Sequence, residues 1–315
     1  MQKPLVSVVM PTRDCRDYLE KSIASIFAQN IPNLEIIIVD DGSTDGSMEY
    51  LCSVAEKYKN IHILQSDGIG PGRARNFAIR AAKADYIAFL DADDVWMEGK
   101  LARQLDFHQS NPDVGLSFTN YSIVTPDGPL DMTSFDYWGC QHLFAHHEGY
   151  QVMRDAESLI LRHNIVGTSC VVAKRECLQN AKGFSSQLQS ATDWDMWLKL
   201  SQAAPIGVSN EVGMEYLMRA DSISANRQKR IDAMTQIVQP YRQRSEPEIK
   251  AALRMADANI AIARAELNQE SGRNWQAIRH YVTAIIKKPT KRSIKAAGHS
   301  TVSGLKNTLT RDRAA

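Results

Sequence analysis

Three carboxylates within four positions, Asp91-Ala92-Asp93-Asp94, are the residues of this 315-residue chain best suited to chemistry. Carboxylates this close repel one another unless a cation or a set of hydrogen-bond donors offsets their charge. Mg²⁺ and Mn²⁺ suit oxygen ligands, and Mg²⁺ is typically held by one or two carboxylates together with substrate phosphates. The alternative is a solvated turn or a helix start, where acidic residues favour the helix dipole. The position directly after the apolar segment 86–90 favours a metal and diphosphate site.

Two further polar segments border regular patterns. Asp40-Asp41-Gly42-Ser43 ends a second apolar segment, and a carboxylate there can accept hydrogen bonds from a ribose hydroxyl or a base N–H. We select Asp41 for that role. Gly70-Pro71-Gly72-Arg73-Ala74-Arg75 precedes a helical pattern, where glycines and a helix start favour anions, and Arg73 or Arg75 would pair with a diphosphate. Taken alone, segment 40–43 is equally explained as a turn, and Arg73 or Arg75 as a partner in a surface ion pair.

The first 90 residues alternate between strand and helix patterns, which predicts the scaffold for these segments. Four apolar, partly β-branched runs predict strands at 6–10, 35–39, 61–64 and 86–90. Strands that are apolar on both faces and separated by helices indicate a parallel sheet covered by helices on both faces. In such sheets ligands bind beyond the carboxyl ends of the strands. Segments 11–14, 40–43 and 91–94 all follow strands, so we expect them to form one site.

The rest of the chain is less regular. Residues 116–118 and 169–173 indicate strands, and residues 193–200 an amphipathic helix. Residues 125–150 predict a long polar and aromatic loop, of the length typical of lids and binding loops. Apolar spacing from about 230 to 287 predicts helices, the last two forming a hairpin without a repeated period.

Composition excludes several classes of function. Hydrophobic residues make up 43% of the chain and charged residues 23%, and the net charge is +1, as in ordinary globular proteins. No field of the whole protein attracts nucleic acid or membrane. Five cysteines without short paired spacing, and no recognisable secretory signal, predict reduced thiols in the cytoplasm. The basic, partly apolar segment 286–315 is suited to peripheral contact with an anionic membrane.

Four ordered motifs resemble those of the inverting family-two glycosyltransferases with the GT-A fold. They are Pro11-Thr12-Arg13-Asp14, Val39-Asp40-Asp41-Gly42-Ser43-Thr44-Asp45, Ala74-Arg75-Asn76 and Phe89-Leu90-Asp91-Ala92-Asp93-Asp94-Val95-Trp96. Further on, Gly183-Phe184 and Thr192-Asp193-Trp194-Asp195-Met196-Trp197-Leu198 are similar to the family's Gly-Phe and Glu-Asp segments. The resemblance covers residues 4–225.

The resemblance implies an organisation and an activity. Residues 1–228 would be the GT-A catalytic domain, an α/β fold with a Rossmann-like, mostly parallel sheet and helices on both faces. Its nucleotide-binding half would be 1–110 and its acceptor half 111–228, followed by an α-helical region, 229–315, with a basic tail. The implied reaction is metal-dependent, inverting transfer of a sugar from a nucleotide-diphosphate sugar, UDP-linked by expectation, to a hydroxyl of a glycan or lipid-linked glycan. The expected setting is bacterial cell-surface polysaccharide biosynthesis, at the inner face of the cytoplasmic membrane, without a nucleic-acid partner.

The resemblance also implies roles for individual residues. Those expected to bind the nucleoside and the donor are Pro11, Thr12, Arg13, Asp41, Arg75, Asp91 and Ala92. Asp93 and Asp94 are expected to hold Mn²⁺ or Mg²⁺, which offsets charge on the departing nucleoside diphosphate. Asp193 stands where the family places the base that deprotonates the acceptor hydroxyl. Trp194 and Trp197 are core residues or, alternatively, a platform on which an acceptor sugar stacks.

The chain departs from the family pattern in three places. Arg13-Asp14 replaces an aromatic residue and Asn, and arginine can itself stack on a base. Thr192 replaces the acid that commonly precedes the base. A His common after the last strand is absent from 219–222, where Asp221 is the candidate replacement.

Other functions fit parts of the sequence. A degenerate transferase that binds glycans or acts as a scaffold agrees with the helical C-terminal region, but the intact acids disfavour it. A sugar-1-phosphate nucleotidyltransferase would need a Gly-rich basic loop where Pro11-Thr12-Arg13-Asp14 stands. A zinc site at His142, His146, His147 and Glu148 is disfavoured, since the segment predicts a loop rather than a helix and none of these candidate ligands is a cysteine.

Overall fold

The computed structural model describes residues 3–144, 149–153, 155–219 and 226–289, together with Ile294, Ala297 and Ser300. The chain divides into two compact units. Unit 1 comprises Met1–Ala156, Asn164–Leu188 and Thr192–Ala220, and unit 2 comprises Glu157–His163, Gln189–Ala191 and Asp221–Ala315.

The described residues alternate strands and helices before becoming entirely helical. In chain order, the elements are β1 (Val6–Thr12), α1 (Arg16–Phe27), β2 (Leu34–Asp40), α2 (Ser47–Lys57), β3 (Ile61–Gln65), α3 (Pro71–Ala81), β4 (Tyr86–Phe89), β5 (Val95–Trp96), α4 (Lys100–Ser110), β6 (Leu116–Thr125), β7 (Gly128–Thr133), α5 (Ser134–Trp138), β8 (Tyr150–Met153), α6 (Ala156–Arg162), β9 (Val172–Lys174), α7 (Arg175–Asn180), α8 (Thr192–Ala203), β10 (Ile206–Leu217), α9 (Arg227–Ile237), α10 (Pro247–Glu270) and α11 (Asn274–Lys287).

The described part of unit 1 is built around one sheet of ten strands, in the order β3-β2-β1-β4-β9-β6-β10-β5, with β7 on β6 and β8 on β10. The four strands predicted from the first 90 residues pair in parallel, which confirms that prediction. All seven residues of β1 and of β2 are buried, as expected for strands that are covered on both faces. Beyond β4 the sheet becomes mixed, because β9 runs antiparallel to both β4 and β6.

The segment 125–150 is where the fold differs most from expectation. We predicted a long loop, but the described part forms β7, α5, a short 3₁₀ helix (Gln141–Leu143) and the start of β8. Phe135 and Phe144 are buried, with ring centroids 4.7 Å apart, and Phe135 also packs on Phe118 of β6. These few apolar residues anchor an otherwise polar segment, so its average composition predicted the wrong structure.

Unit 2 contains the predicted helical hairpin. Its arms are α10 and α11, and Gly272 lies between them with φ +71°, a backbone conformation that glycine adopts without strain. Buried Ala265, Ala277 and Tyr281 form the hairpin core. Among the described residues, no helix is both long enough and apolar enough to cross a membrane.

A buried lysine marks the start of α4 in unit 1. Lys100 is fully buried, and its Nζ lies 4.2 Å from the centroid of the Trp96 ring. No hydrogen-bond partner for this Nζ is found among the described residues. Burial lowers the pKa of Lys100 to about 7, because the charged ammonium loses its hydration.

We predict that the free energy of unfolding of Lys100→Met rises less steeply with pH above pH about 7 than that of wild type. In wild type the unfolded lysine, with a pKa of about 10.4, binds more protons than the folded one between pH about 7 and about 10. The free energy of unfolding therefore rises with pH across that window, by up to about 1.4 kcal/mol per pH unit from this group. Urea unfolding at several pH values measures the slope, with the exposed Lys57→Met as control. An unchanged slope in Lys100→Met would show that Lys100 does not titrate in this range.

Candidate active site

The predicted site residues meet at one edge of the sheet because three parallel strands end there. Thr12 of β1 lies beside Asp40 of β2, and Val9 of β1 lies beside Phe89 of β4. The Asp41 N–H donates to the Thr12 carbonyl at 2.9 Å. The structure therefore brings the segments 11–14, 40–43 and 91–94 together.

The first two of these segments are held to each other by side-chain bonds to the backbone. The Asp14 carboxylate accepts from the Thr44 N–H at 2.8 Å, and the Asp45 carboxylate accepts from the Arg16 N–H at 2.8 Å. Asp14 itself has φ +49°, a left-handed conformation that Asp tolerates better than most residues. The result is a rigid double loop at the strand ends.

The residues expected to bind the nucleoside differ in their exposure. Pro11 and Thr12 are buried at the end of β1, and the Thr12 hydroxyl has no hydrogen-bond partner among the described residues. The Arg13 side chain is half exposed and lies beside Gly68, where an added Cβ would approach its Nη1 to 3.4 Å. Arg13 is thus the one of these three whose side chain can reach a ligand from the surface of the loop.

Asp41 organises the loop that leads into α3. Its carboxylate accepts hydrogen bonds from the Ser66 hydroxyl at 2.7 Å and from the N–H groups of Ile69 and Gly70 at 2.8 and 2.7 Å. Asp41 is 4% exposed. A carboxylate has about four acceptor sites, so Oδ2, with one partner, keeps capacity for a further donor.

The start of α3 supplies a buried counter-ion. Arg75 is 5% exposed and pairs with Asp91. Its guanidinium lies 5.6 Å from the centroid of the Phe184 ring. The next residue, Asn76, holds Phe184 by two backbone hydrogen bonds of 2.8 Å, one donated and one accepted by its amide. Arg73 instead donates to the carbonyl of Ser186 and does not join the cluster.

The other two acids of the run have different partners. Asp93 pairs with Arg219, just after β10, at 3.0 Å. Asp94 is 3% exposed and accepts from the Ser169 hydroxyl at 2.5 Å and from the Leu217 N–H at 3.2 Å. Burial first, and then the charge of neighbouring acids, raises the pKa of Asp93 and raises that of Asp94 well above its usual range. Ala92 between them is buried.

The run has the chemistry of a site that takes a divalent cation. Burial, and after it the charge of Asp91, raises the pKa of Asp93, and a bound cation would favour the ionised form of this carboxyl. In the described parts of the chain, no group of three or more His, Cys, Asp or Glu side chains could hold a metal by itself. Two carboxylates completed by substrate phosphates are a sufficient ligand set. Asp91 and Asp93 would be the protein ligands, because their side chains are 31% and 20% exposed whereas Asp94 is only 3% exposed.

Asp193 lies at the start of α8, near the start of α3. Its carboxylate accepts from the Trp194 N–H at 2.8 Å and from the Thr168 hydroxyl at 3.4 Å. The first residue of α8 packs so closely on α3 that a Cβ on Gly72 would lie 3.0 Å from the Thr192 hydroxyl. Asp193 is linked to the neighbourhood of the acidic run through Thr168, because the next residue, Ser169, donates a hydrogen bond to Asp94.

Trp194 and Trp197 do not fit the predicted acceptor platform. They are 2% and 0% exposed, respectively. The Trp197 ring lies 5.7 Å from that of Phe89 and 5.8 Å from that of Phe184, which places it in the core beneath the site. Neither indole offers a face to a sugar, and both take the alternative role of core residues.

Three residues of the site escaped prediction from the sequence. Ser169 links two acids, because its hydroxyl accepts from the Asp91 N–H at 2.9 Å while donating to Asp94. Arg219 neutralises Asp93, and Asn76 fixes Phe184. The motif containing Asn76 pointed towards that residue, whereas nothing near Ser169 did. Asp221, His146, His147 and Glu148 lie outside the described residues, and the described His142 is exposed.

Known proteins resemble this chain in sequence and in fold. Residues 7–173 match the family described as Glycosyl transferase family 2. The chain is 35% identical over 230 residues to the putative teichuronic acid biosynthesis glycosyltransferase TuaG of Bacillus subtilis (strain 168), covering 72% of this chain and 84% of that protein. It is 28% identical over 231 residues to the Escherichia coli UDP-Glc:alpha-D-GlcNAc-diphosphoundecaprenol beta-1,3-glucosyltransferase WfaP, covering 72% and 82%.

The fold is similar to that of the mannosyltransferase PcManGT from Pyrobaculum calidifontis, solved in complex with GDP-Man and Mn²⁺. The TM-score is 0.63 at 21% identity, over 96% of this chain and 81% of that one. This likeness confirms the predicted GT-A fold.

We predict that Ser169→Ala destabilises the fold by about 1–3 kcal/mol, because the partly buried N–H of Asp91 and a buried carboxylate oxygen of Asp94 each lose a partner. Urea unfolding measures the free energy of unfolding. Ser53→Ala is the matched control, since this exposed hydroxyl donates to one helix carbonyl, and its effect should stay within about 0.5 kcal/mol. Equal stability of the two variants would mean that the Ser169 hydroxyl does not hold the acidic run.

Proposed function

The chain belongs to glycosyl transferase family 2 and is a hexosyltransferase-type glycosyltransferase, and we propose that it transfers a sugar from a UDP-linked donor to an acceptor hydroxyl with inversion. The observation that carries this proposal is the link between the acidic run and Asp193. The adjacent residues Thr168 and Ser169 contact Asp193 and the acidic run, respectively. A sugar donor bound at the acidic run would therefore lie in the same part of the protein as Asp193.

The donor half of the proposed site divides its work among separate residues. Asp41 binds the nucleoside through the free capacity of its carboxylate, and Pro11, Thr12 and Arg13 border the base. Asp91 and Asp93 would hold Mn²⁺ or Mg²⁺, which would offset charge on the diphosphate, and Arg75 pairs with Asp91. Asp94 keeps the run in place rather than binding metal. Support comes from WfaP, whose name specifies UDP-Glc, and from PcManGT, solved with GDP-Man and Mn²⁺.

The acceptor half carries the proton transfer. Asp193 takes the proton of the acceptor hydroxyl as this attacks the anomeric carbon, while the sugar–phosphate bond breaks and the nucleoside diphosphate leaves. The Trp194 N–H fixes the orientation of the Asp193 carboxylate. A cation bound at the run would offset the charge of the leaving diphosphate. Because inversion takes place in one displacement, no nucleophilic Ser or Cys is required.

The proposed setting is bacterial cell-surface glycan synthesis with a lipid-linked acceptor. TuaG is named for teichuronic acid biosynthesis, and WfaP for transfer to a diphosphoundecaprenol-linked sugar. A membrane-embedded acceptor requires the enzyme to work at the membrane surface. We therefore propose peripheral contact through the basic C-terminal region at the inner face of the cytoplasmic membrane. Residues 1–228 are proposed as the catalytic domain.

We predict that the protein with Mn²⁺ releases nucleoside diphosphate fastest from UDP-sugars when UDP-, GDP- and dTDP-sugars are compared, with a soluble glycan as acceptor. Asp193→Asn should lower the transfer rate by about 10²–10⁴-fold, the range typical of a lost general base. Asp195→Asn is the matched control on the same helix turn, because Asp195 pairs with Lys199 and should leave the rate near wild type. No turnover of any donor, with glycan binding intact, would instead support the binding-module alternative. Pyrophosphate release from a nucleoside triphosphate would support a nucleotidyltransferase.

A further inference from the structure

Helix α11 in unit 2 exposes an apolar stripe. Trp275, Val282 and Ile286 are 54%, 45% and 79% exposed. Their spacing places them on one face of the helix, together with the exposed Arg279. The opposite face packs into the hairpin core. Single exposed apolar residues are ordinary, but three aligned on one helix mark a surface that contacts something.

A basic cleft adjoins this helix in the same unit. Its volume is about 270 Å³, and it is lined by Arg162, Ala251, Arg254, Met255, Lys287 and Lys288. Lys287 pairs with Asp257 at 2.8 Å. For the other three cations, the described residues show no ion pair. Burial, followed by the positive charges of Arg162 and Lys288, lowers the pKa of the neighbouring His163 to about 4.

The stripe and the cleft meet at the C-terminal end of α11. Ile286, the most exposed apolar side chain of the stripe, is followed directly by Lys287 and Lys288 of the cleft. The apolar ridge is bordered by four cations, of which only Lys287 has an ion pair among the described residues. This combination matches the two layers of an anionic bilayer surface, which are acyl chains and headgroup phosphates. Tryptophan is enriched at that boundary, where its ring is amphipathic.

We propose that this stripe and cleft, the α11 surface, dock on a bilayer containing anionic phospholipid, with the apolar side chains entering the interface and a headgroup phosphate in the cleft. The occupant is a membrane rather than a soluble protein because the cations outnumber the acids around the cleft and the apolar part is a narrow ridge. The inference rests on the proposed peripheral contact and specifies its structured part, without using any catalytic residue.

The test is vesicle co-sedimentation of the full chain at low salt, with phosphatidylcholine vesicles and with equimolar phosphatidylcholine–phosphatidylglycerol vesicles. The wild type should bind only the anionic vesicles, and less at high salt. Arg254→Gln/Lys288→Gln should weaken that binding by about thirtyfold, since each lysine or arginine near the surface contributes about 1 kcal/mol and about 1.4 kcal/mol corresponds to a tenfold change. Val282→Ser/Ile286→Ser should weaken it by at least about tenfold, because less apolar surface enters the interface. The matched controls are Leu130→Ser/Met132→Ser on exposed β7 positions and Lys57→Gln/Lys59→Gln, which should bind as wild type.

Several results would overturn the inference. The first is that the wild type fails to bind anionic vesicles, and the second is that both α11-surface variants bind as wild type. The third is that the protein binds inorganic phosphate saturably, or self-associates through the α11 surface, but does not bind vesicles. If only Lys291→Gln/Arg292→Gln/Lys295→Gln lost binding, the basic tail rather than the α11 surface would contact the membrane. That result would reject this inference but not the proposed peripheral contact. Release of nucleoside diphosphate from UDP-sugar with a soluble acceptor should be unchanged in every variant, which separates failure of this inference from failure of the transferase proposal.

Discussion

Mutual repulsion of the carboxylates in the run 91–94 is the constraint on which the site depends. Three negative charges within four residues are unfavourable in a buried loop, and the fold gives each a different partner. Arg75 comes from the helix after the third strand, Arg219 from the segment after the last strand, and Ser169 from a short 3₁₀ helix before β9. Because these partners come from three distant parts of the chain, the loop is fixed only when the whole sheet has formed.

This arrangement explains how one edge of the sheet serves two chemical tasks. Arg75 pairs with Asp91 and Arg219 pairs with Asp93, so each arginine offsets part of the negative charge of the run, and a cation bound there would offset more of it. The third acid, Asp94, is tied by hydrogen bonds on both oxygens and sets the shape of the loop. Asp193 does not belong to the acidic run, but its partner Thr168 is the neighbour of Ser169, which bonds to Asp94. Charge neutralisation and proton removal are thus separated in the proposed reaction.

The sequence predicted those parts of the protein that local pattern determines. Strands such as β2 are apolar on both faces, so both their existence and their parallel pairing followed, and the polar strand ends predicted the site edge. Partners that depend on tertiary contact did not follow. A serine such as Ser169 has no local signature for bonding an acid 75 residues away. Trp197 was ambiguous because an aromatic residue on a helix fits either a surface or a core, and packing against Phe89 and Phe184 decides for the core.

Calorimetric titration of UDP in the presence and absence of Mn²⁺ into wild type, Asp93→Asn and Asp193→Asn tests the division of labour between the acidic run and the base. We predict that wild-type affinity for UDP requires Mn²⁺, that Asp93→Asn weakens it by at least about tenfold, and that Asp193→Asn binds UDP as wild type does. Equal affinities of Asp93→Asn and wild type, or loss of UDP binding in Asp193→Asn, would contradict the proposed roles.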